Sequence, residues 1–390
     1  MKVVLAKGSS QYGSLRLHID QLAAALEDQG HDARVVDMVG EQGLTPLLEA
    51  LSGRPDCFFT FNSMAHEIAA QPYMREIGCV FAGLQVDHPV HDLARLESPI
   101  ERRVLFFLDR THITFVEAWA GPGAIAHAGL MPPGANELEE PVDVSDEAFE
   151  RRDIPLLFTG TYRGPPTPGW ADWPDSAGKT LVAETAARMA ADGQLPLLDA
   201  LRGVLIAHRI AFSQDLLRSI APVLSAAQLY AEAHHRHAVL TALGQAGVPI
   251  EVHGAGWEPL CQRYPSIRHA GVGSFEETLH LLRRARIVLN INNGFVAGGH
   301  ERVFTAMCAG AAVFSESSRY YADAFRQGEE MASFSLRQLD RAPGQLISLM
   351  SDLSAQAAMA RAGHARAMAE HRWSARAAEL VRVVEAVRGA

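Results

Sequence analysis

The sequence alternates short apolar runs with helical patterns, and it does so twice along the chain. In the first alternation, six runs have the length and composition of strands: 2–6, 33–38, 57–61, 79–85, 104–108 and 124–128. The first helical segment between them carries Leu15, Ile19, Leu22 and Leu26 on one face and ends at Gly30. Such alternation joins parallel strands by crossover helices, so it predicts an open α/β sheet.

The second alternation predicts another α/β unit. Its expected strands are 154–160, 250–253, 287–291, 312–315 and 332–335. Its expected helices are 275–284, 302–309 and 320–327, and further helices finish the chain. A helical insert, from about 164 to 246, interrupts the alternation after a Pro/Trp-rich loop at 164–175.

A segment of different composition separates the two alternations. Residues 131–152 include Pro132, Pro133, Gly134 and Pro141, with seven acidic residues between positions 137 and 150. We interpret this segment as a linker. The predicted domains are therefore 1–148 and 149–370, followed by a terminal segment at 371–390.

Bulk properties limit the function classes. At 390 residues the chain is too long for one hydrophobic core. Its net charge of −10 argues against a nucleic-acid-binding surface but not against a small basic pocket. The four cysteines lack CxxC spacing, which predicts free thiols in a reducing compartment. We see neither a signal peptide nor a membrane-spanning run, so we expect a cytoplasmic protein and leave peripheral membrane contact open.

Ligand sites in open α/β sheets lie beyond the carboxyl ends of the strands. In two such domains joined by a linker, we expect the useful loops to face a cleft. In the first domain this rule selects 8–14, 87–89, 109–110 and position 127. In the second domain it selects 160–163, 254–257, 292–302 and 315–318.

The most informative stretch is 288–310, where a buried strand leads into a glycine-rich loop and then a helix. Backbone amides of such a loop and the helix N-terminus favour a diphosphate, and Arg302 can add bidentate contacts. The candidate donor-binding residues here are Asn292, Asn293, Gly299, His300, Glu301 and Arg302. The alternative is a loop that merely turns a strand into a helix.

Two further loops of the second domain are candidates for donor binding. Gly160, Thr161 and Arg163 follow its first strand, and a glycine with a hydroxyl there suits phosphate oxygens. Gly256 leaves room for a base or ribose beside Trp257. The alternatives are a linker turn for the first loop and a core tryptophan behind a turn for the second.

Candidate catalytic residues follow two strands of the first domain. Asp87 and His88 come after one strand and Asp109 after the next, where a carboxylate or imidazole can remove a proton from an acceptor hydroxyl. The alternative is that an aspartate caps a helix and the histidine packs in the core. The loop at 8–13 is not a P-loop, because Ser14 stands where that motif needs lysine.

A histidine-rich run at 234–237 raises the question of a metal site. His234 and His237 would share a helix face, but no carboxylate or cysteine completes a ligand set. We therefore predict an exposed helix face there and no metal.

Together these motifs resemble the CgeB-like family of GT-B glycosyltransferases. The resemblance is carried by 86–89, 108–112, 131–134, 157–162, 253–257 and 299–307, and it omits the helical insert. It implies two Rossmann-like domains, with a nucleotide-diphospho-sugar donor on the second and the acceptor on the first. It also implies no required metal or cofactor, and a terminal helix near 373–387 that returns to the first domain.

One departure from related enzymes bears on stereochemistry. Many retaining GT-B enzymes carry two glutamates eight positions apart, but Thr305 and Ala297 stand at those places here, with Glu301 between them. We therefore expect inversion by direct in-line attack, with a base from the first domain.

Other functions stay open at this stage. One alternative is a non-catalytic protein that binds a sugar nucleotide or serves in assembly, and another is a sugar-nucleotide epimerase on the same fold. Neither the donor sugar nor its base is legible, and the acceptor is a polysaccharide, as in bacterial surface glycans, a protein or a small molecule.

Overall fold

The structure, a computed structural model, describes residues 1–39, 44–121, 123–292 and 294–389. Within them the chain divides into two compact units. The first unit comprises Met1–Asn136, Ser274–Glu276 and the chain from Glu370 onward. The second comprises Glu137–Gly273 and Glu277–Ala369.

The first unit is built on a parallel sheet that has six strands in the described residues. These are β1 (Lys2–Lys7), β2 (Asp32–Asp37), β3 (Cys57–Phe61), β4 (Val80–Gln85), β5 (Arg103–Phe107) and β6 (His127–Leu130). They lie in the order β2-β1-β3-β4-β5-β6. The intervening helices are α1 (Ser14–Asp28), α2 (Thr45–Ser52), α3 (His66–Ala69), α4 (Pro72–Glu76), α5 (Leu93–Glu97) and α6 (Arg110–Ala120).

The burial of each strand follows its place in this sheet. Every residue of β3, β4 and β5 is buried, as expected for central parallel strands covered on both faces. The edge strand β2 buries only Val36 fully. Strand β6 lies later than the predicted 124–128, because His127 is the first residue of its parallel pairing with β5.

The second unit contains another parallel sheet, again of six strands in the described residues. They are β7 (Ile154–Thr159), β8 (Ile250–His253), β9 (Ile267–His269), β10 (Ala285–Asn290), β11 (Ala312–Glu316) and β12 (Ala332–Phe334). Their order is β12-β11-β10-β7-β8-β9. When the strands are read from β9 and numbered from β7 as the first, this is the 3-2-1-4-5-6 order of the Rossmann fold. Sequence patterning misses β9, because this short edge strand contributes only Ile267 to the core.

Ten α-helices accompany this second sheet in the described residues. They are α7 (Asp146–Glu150), α8 (Ala177–Ala191), α9 (Leu197–Ala207), α10 (Gln214–Gln245), α11 (Glu258–Arg263), α12 (Phe275–Arg284), α13 (Glu301–Cys308), α14 (Arg319–Ala324), α15 (Ala342–Met350) and α16 (Leu353–Glu370). The predicted helical insert thus consists of α8, α9 and α10.

The acidic segment that we interpret as a linker is largely part of the second unit. Phe149 lies in the hydrophobic core of that unit. Arg152 is buried and donates hydrogen bonds to the carbonyl oxygens of Leu282, Ala285 and Ala309. Because these contacts fix the segment to the second sheet, the boundary falls after Asn136, earlier than the predicted position 148.

The end of the chain belongs to the first unit. There α17 (Trp373–Gly389) packs against α1. The buried Trp373 donates from Nε1 to Asn136 Oδ1 at 3.1 Å, and His18 Nδ1 lies 2.9 Å from the same oxygen. A Cβ at Gly134 would lie 2.4 Å from the Trp373 ring, so only glycine leaves room for the indole.

All four cysteines are free. Cys57, Cys79 and Cys308 are buried, and Cys261 is partly exposed. Burial raises the pKa of the Cys79 thiol to about 12 and that of Cys57 well above its usual range. These two thiols therefore stay protonated at neutral pH, and they act as small apolar core groups.

Candidate functional site

The strand order of the second unit identifies where a ligand is expected. The chain moves outward in one direction from β7 to β9, and β10 then starts the opposite half of the sheet beside β7. In open α/β sheets, the crevice at such a reversal is where ligands bind. The carboxyl ends of the two strands are Thr159 and Asn290.

Arg302 connects these two strand ends. Its Nε donates to Thr159 Oγ1 at 3.3 Å, and its Nη1 donates to Asn290 Oδ1 at 2.8 Å. The guanidinium also lies over the ring of Phe158, 4.9 Å from the centroid. Burial lowers the pKa of Arg302, but an arginine retains its proton even so. The result is a fixed positive charge at the strand reversal.

The N-terminus of α13 adds a second feature that favours an anion. His300 is the N-cap residue, and its Nδ1 accepts a hydrogen bond from the Arg302 backbone N–H at 3.1 Å. The His300 backbone N–H donates to Tyr321 Oη at 2.7 Å. A Cβ at Gly299 would lie 2.8 Å from the Phe304 ring, so glycine is needed where the loop meets the helix. Glu301 is half-buried in the first helical turn.

Asn292 fixes the start of the loop after β10 through buried hydrogen bonds. It is completely buried, and its backbone N–H donates to Glu316 Oε2 at 2.9 Å while its Nδ2 donates to the Glu316 carbonyl oxygen at 3.0 Å. Tyr321 Oη donates to Asn292 Oδ1 at 3.1 Å. This placement favours a supporting role for Asn292 over direct donor contact. The neighbouring candidate, Asn293, lies outside the described residues.

The loops after β7 and β8 pair through their backbones. The Gly160 N–H donates to the His253 carbonyl at 2.8 Å, and the Tyr162 N–H donates to the Ala255 carbonyl at 2.9 Å. A Cβ at Gly256 would lie 2.1 Å from the Tyr162 carbonyl oxygen, and Gly256 has φ +85°. This close approach requires glycine.

Replacing Gly256 with alanine should therefore lower the free energy of unfolding by about 2–4 kcal/mol, from left-handed strain and overpacking combined. Chemical denaturation measures this loss. The matched control is Gly247→Ala, because Gly247 has φ +69° with nothing within 4 Å of its Cβ position. The control should lose only the strain, about 1–2 kcal/mol, and equal losses in the two variants would contradict the backbone pairing.

Trp257 belongs to the core of the second unit. Its indole is fully buried, donates from Nε1 to the Gly160 carbonyl at 2.9 Å and stacks on Tyr162 with centroids 5.5 Å apart. Of the two roles that the sequence allows, this placement favours packing over contact with a base. Gly160 and Thr161 are half-buried at the strand end, and Arg163 is exposed.

The prediction of an exposed helix face at 234–237 is wrong. His235 is buried, with Nε2 3.0 Å from the Met189 carbonyl oxygen. Arg236 donates from Nη1 to the Thr161 carbonyl at 2.5 Å, and His237 Nδ1 lies 2.6 Å from Tyr162 Oη. We predicted an exposed face because the sequence shows no ligand set around these histidines, but α10 packs here against the loop after β7.

Arg236 is a site residue that sequence reasoning missed. Burial, followed by the nearby charge of Arg302, lowers its pKa to about 10, and Arg163 acts in the same direction. Arg302 and Arg163 therefore both lie within electrostatic range of Arg236. A signal was present in the sequence, since Gln228, Glu232 and Arg236 are polar residues spaced four apart in one helix.

Glu316 is the second missed residue. It is the last residue of β11. The strand-end rule selected the range 315–318 but did not single out Glu316. Burial raises the pKa of this carboxyl to about 7, while the hydrogen bond from the Asn292 N–H and the charge of Arg236 act in the opposite direction. The carboxyl group thus changes charge near neutral pH within electrostatic range of Arg236.

The Glu316 pKa predicts a specific pH dependence. Between its usual pKa of 4.5 and the folded value of about 7, the folded state holds a proton that the unfolded chain releases. Stability therefore falls as pH rises through this window, by on the order of 3 kcal/mol. In Glu316→Gln this contribution is absent, so denaturation curves of variant and wild type should diverge from pH 4.5 to 8. Parallel pH profiles would contradict the assignment.

The candidate bases of the first unit differ in accessibility. Asp87 is exposed, and its Oδ2 accepts a hydrogen bond from Asn62 Nδ2 at 2.8 Å. His88 is buried, and its Nδ1 accepts from the Val90 N–H at 3.1 Å. Burial, then His112 and His91, lowers the His88 pKa well below its usual range. With Nδ1 engaged and its pKa lowered by burial, the His88 ring is poorly suited to take a proton.

Asp109 has the capping role that the sequence left as an alternative. It is completely buried, and its Oδ1 accepts from both the N–H and the Oγ1 of Thr111 at 2.6 Å. The carboxylate therefore caps α6. In the described part of the chain, no three His, Cys, Asp or Glu side chains come together as a potential metal site.

Comparisons with known proteins agree with this architecture. Residues 235–382 match a protein family described as glycosyl transferase-like. No curated protein matches the chain. Among solved structures, a sucrose-phosphate synthase (tll1590) from Thermosynechococcus elongatus is 11% identical, with a TM-score of 0.59 and 99% of each chain covered.

Two further solved structures are similar in fold. Alr3699/HepE from Anabaena, in complex with UDP and glucose, is 10% identical with a TM-score of 0.56, covering 99% of this chain and 100% of that one. AviGT4, a glycosyltransferase involved in avilamycin A biosynthesis, is 15% identical with a TM-score of 0.51, covering 100% and 98%.

The predicted fold class, α/β of the GT-B type with two Rossmann-like domains and a helical insert, is confirmed by the two sheets and these matches. The matched family supports the predicted enzyme class, a glycosyltransferase. Among the helices of the described residues, none has the length and apolar character needed to cross a membrane.

Proposed function

We propose that this chain is a glycosyltransferase that moves a sugar from a nucleotide-diphospho-sugar to an acceptor hydroxyl. The observation that carries the proposal is the buried Arg302 guanidinium, which joins the ends of β7 and β10 at the strand reversal. A buried charge is costly unless it is paired and hydrogen-bonded, and the two side chains that accept from Arg302 are neutral, so a bound anion would supply the opposite charge. The diphosphate of a sugar nucleotide is the anion that suits both this charge and the start of α13.

The donor-side chemistry rests on electrostatic stabilisation. As the glycosidic C–O bond breaks, negative charge develops on the departing diphosphate. We assign its stabilisation to Arg302, Arg236 and Arg163 together with the amides at the start of α13. Because these groups supply the positive charge, we propose that transfer needs neither a metal nor a cofactor, and that activity survives treatment with EDTA.

UDP-sugars are the first donors to test. The similarly folded HepE is described in complex with UDP, with UDP and glucose, and with UDP-glucose. We propose the same ligand class here because Arg302 and the start of α13 lie at the strand reversal of a Rossmann-type sheet, which is where ligands of such sheets bind. GDP-, dTDP- and CMP-sugars complete the panel.

We assign the acceptor base to Asp87, because it alone of the three candidates is exposed. In this proposal the acceptor oxygen attacks the anomeric carbon, Asp87 takes its proton, and the nucleoside diphosphate leaves with the bonding electrons. The configuration inverts in this single step. Thr305 and Ala297, both buried, provide no carboxylate for the retaining pattern.

The acceptor and setting are proposed from the sequence resemblance alone. A CgeB-like enzyme would act in the cytoplasm on a polysaccharide, a protein or a small molecule. Surface-glycan or protein glycosylation in a bacterium would suit that resemblance.

Calorimetry with the nucleotide-sugar panel, followed by transfer assays, tests the proposal. The expected result is binding of one nucleotide class and transfer to an added acceptor. Asp87→Asn should keep donor binding and lose transfer. Absence of nucleotide binding would overturn the proposal, and release of a free epimerised sugar without acceptor would favour an epimerase. Binding with biological activity that survives Asp87→Asn would favour a non-catalytic protein.

A further inference from the structure

The helical insert presents one polar face to the strand ends of the second unit. Gln228, Glu232 and Arg236 are spaced four residues apart along α10, so they project from the same side of the helix. At one end of this face, Arg236 donates to the Thr161 carbonyl in the loop after β7. At the other end, a Cβ at Gly294 would lie 2.6 Å from Gln228 Nε2. The face therefore runs from the loop after β7 to the loop after β10.

Gln228 is a buried amide whose hydrogen bonding is incomplete. The residue is only 2% exposed, and its Nε2 donates to Glu232 Oε1 at 2.9 Å. Its Oε1 is buried and accepts no hydrogen bond from the described residues. A buried amide with one unused acceptor costs stability. We take this cost as the sign of a group that positions its neighbour for a ligand.

The neighbour that Gln228 positions is a carboxylate. Glu232 is half-buried, so ligand atoms can reach it, and it lies one helical turn from Arg236. The charge of Glu232 raises the pKa of Arg236, against the dominant effect of burial. On α10, the carboxylate of Glu232, oriented by Gln228, thus lies one turn before the guanidinium of Arg236, which is beside the proposed diphosphate site.

We propose that Glu232, held by Gln228, accepts hydrogen bonds from hydroxyl groups of the donor's sugar and so helps to select that sugar. The inference rests on the proposed function. In a nucleotide-diphospho-sugar the sugar is attached directly to the second phosphate, so a carboxylate one turn from a phosphate-binding arginine lies within reach of sugar hydroxyls. A carboxylate accepts from two hydroxyls at once, and such charged hydrogen bonds are the strong ones.

The charge around Glu232 favours sugar hydroxyls over a cation. Arg236 lies on the same helix face, and Arg302 and Arg163 lie within electrostatic range of Arg236. A bound cation would be repelled by these three charges. Neutral hydroxyl donors gain from the carboxylate without that repulsion.

The test compares UDP with UDP-glucose, UDP-galactose and UDP-N-acetylglucosamine by calorimetry, in wild type and Glu232→Gln. The amide can still accept from Gln228, so the fold is retained, and thermal unfolding checks this. For the preferred sugar, the ratio of its Kd to that of UDP should rise about 10- to 100-fold in the variant, since one or two charged hydrogen bonds are lost. The Kd of UDP should change less than about threefold.

The matched control is Glu184→Gln. Glu184 is also a glutamate of the insert with one hydrogen-bonded partner, since its Oε2 lies 2.8 Å from His208 Nε2 beyond the end of α9. This control should leave the ratio unchanged. An unchanged ratio in Glu232→Gln overturns the sugar assignment, and so does equal weakening of UDP and UDP-sugar. If wild type binds none of these ligands or the wider panel, the proposed function itself has failed.

Discussion

Replacing Arg302 with lysine is expected to weaken binding of the preferred nucleotide sugar about 100-fold, a loss of about 2–3 kcal/mol. Lysine keeps the charge, but it cannot hold Thr159 Oγ1 and Asn290 Oδ1 while also presenting a planar fork to a phosphate. Turnover should fall further, because the interaction strengthens as the diphosphate departs. Calorimetry and steady-state kinetics measure the two effects. Arg302→Ala removes the charge as well and should lose at least as much as Arg302→Lys, and Glu301→Ala should weaken binding or turnover by about 1–3 kcal/mol.

Arg152→Lys is the control that distinguishes an effect of Arg302→Lys on nucleotide binding from an effect on the stability of the fold. Arg152 is also a buried arginine of the second unit, and it donates to three carbonyl oxygens. One of these belongs to Ala285, the first residue of β10, so Arg152 lies at the amino edge of the same sheet. Its replacement should lower the unfolding midpoint and leave nucleotide affinity unchanged. Equal losses of affinity in the two variants would mean that Arg302 acts only through the fold.

Replacing Trp373 with alanine should lower the free energy of unfolding of the first unit by about 3–5 kcal/mol. The indole fills the space beside Gly134, and its Nε1 donates to Asn136 Oδ1. His18 Nδ1 lies 2.9 Å from the same oxygen. Truncation leaves a cavity and removes one donor from a buried amide oxygen. Denaturant unfolding followed by fluorescence measures the loss.

Trp173→Ala is the control for this substitution. Trp173 is partly exposed in the loop that opens the insert, where truncation leaves no enclosed cavity. Its replacement should cost about 1 kcal/mol or less. A loss as large as that of Trp373→Ala would show that removal of an indole, rather than its place beside Gly134, governs the effect.

Much of the fold was readable because strand burial produces apolar runs of recognisable length. The runs at 57–61 and 250–253 coincide with β3 and β8. The run predicted for β6 was displaced and β9 was not predicted at all, for different reasons. β6 begins only at His127, where its pairing with β5 starts, and β9 is a three-residue edge strand whose Arg268 is exposed. Because Arg268 and His269 follow its single buried residue, Ile267, β9 leaves no apolar run in the sequence.

The sequence predicts the parts of the candidate site whose position depends on backbone topology. It does not predict the parts that depend on the direction in which a side chain points. The strand-end rule selected the loops that contain Gly160, Arg302 and Glu316 because parallel strands end at one edge. It could not tell that Trp257 points into the core. It also could not place Arg236, because the direction in which α10 packs depends on tertiary contacts outside the helix.

The return of the chain from Glu370 to the first unit affects the order of folding during synthesis. The ribosome completes all strands of the second sheet before it releases Trp373, which packs beside Gly134 in the first unit. The amino-terminal half therefore leaves the exit tunnel first but is the last to acquire its full set of contacts. Chains that end at Ala369 and have left the ribosome should therefore hold a protease-sensitive first unit and a protected second unit.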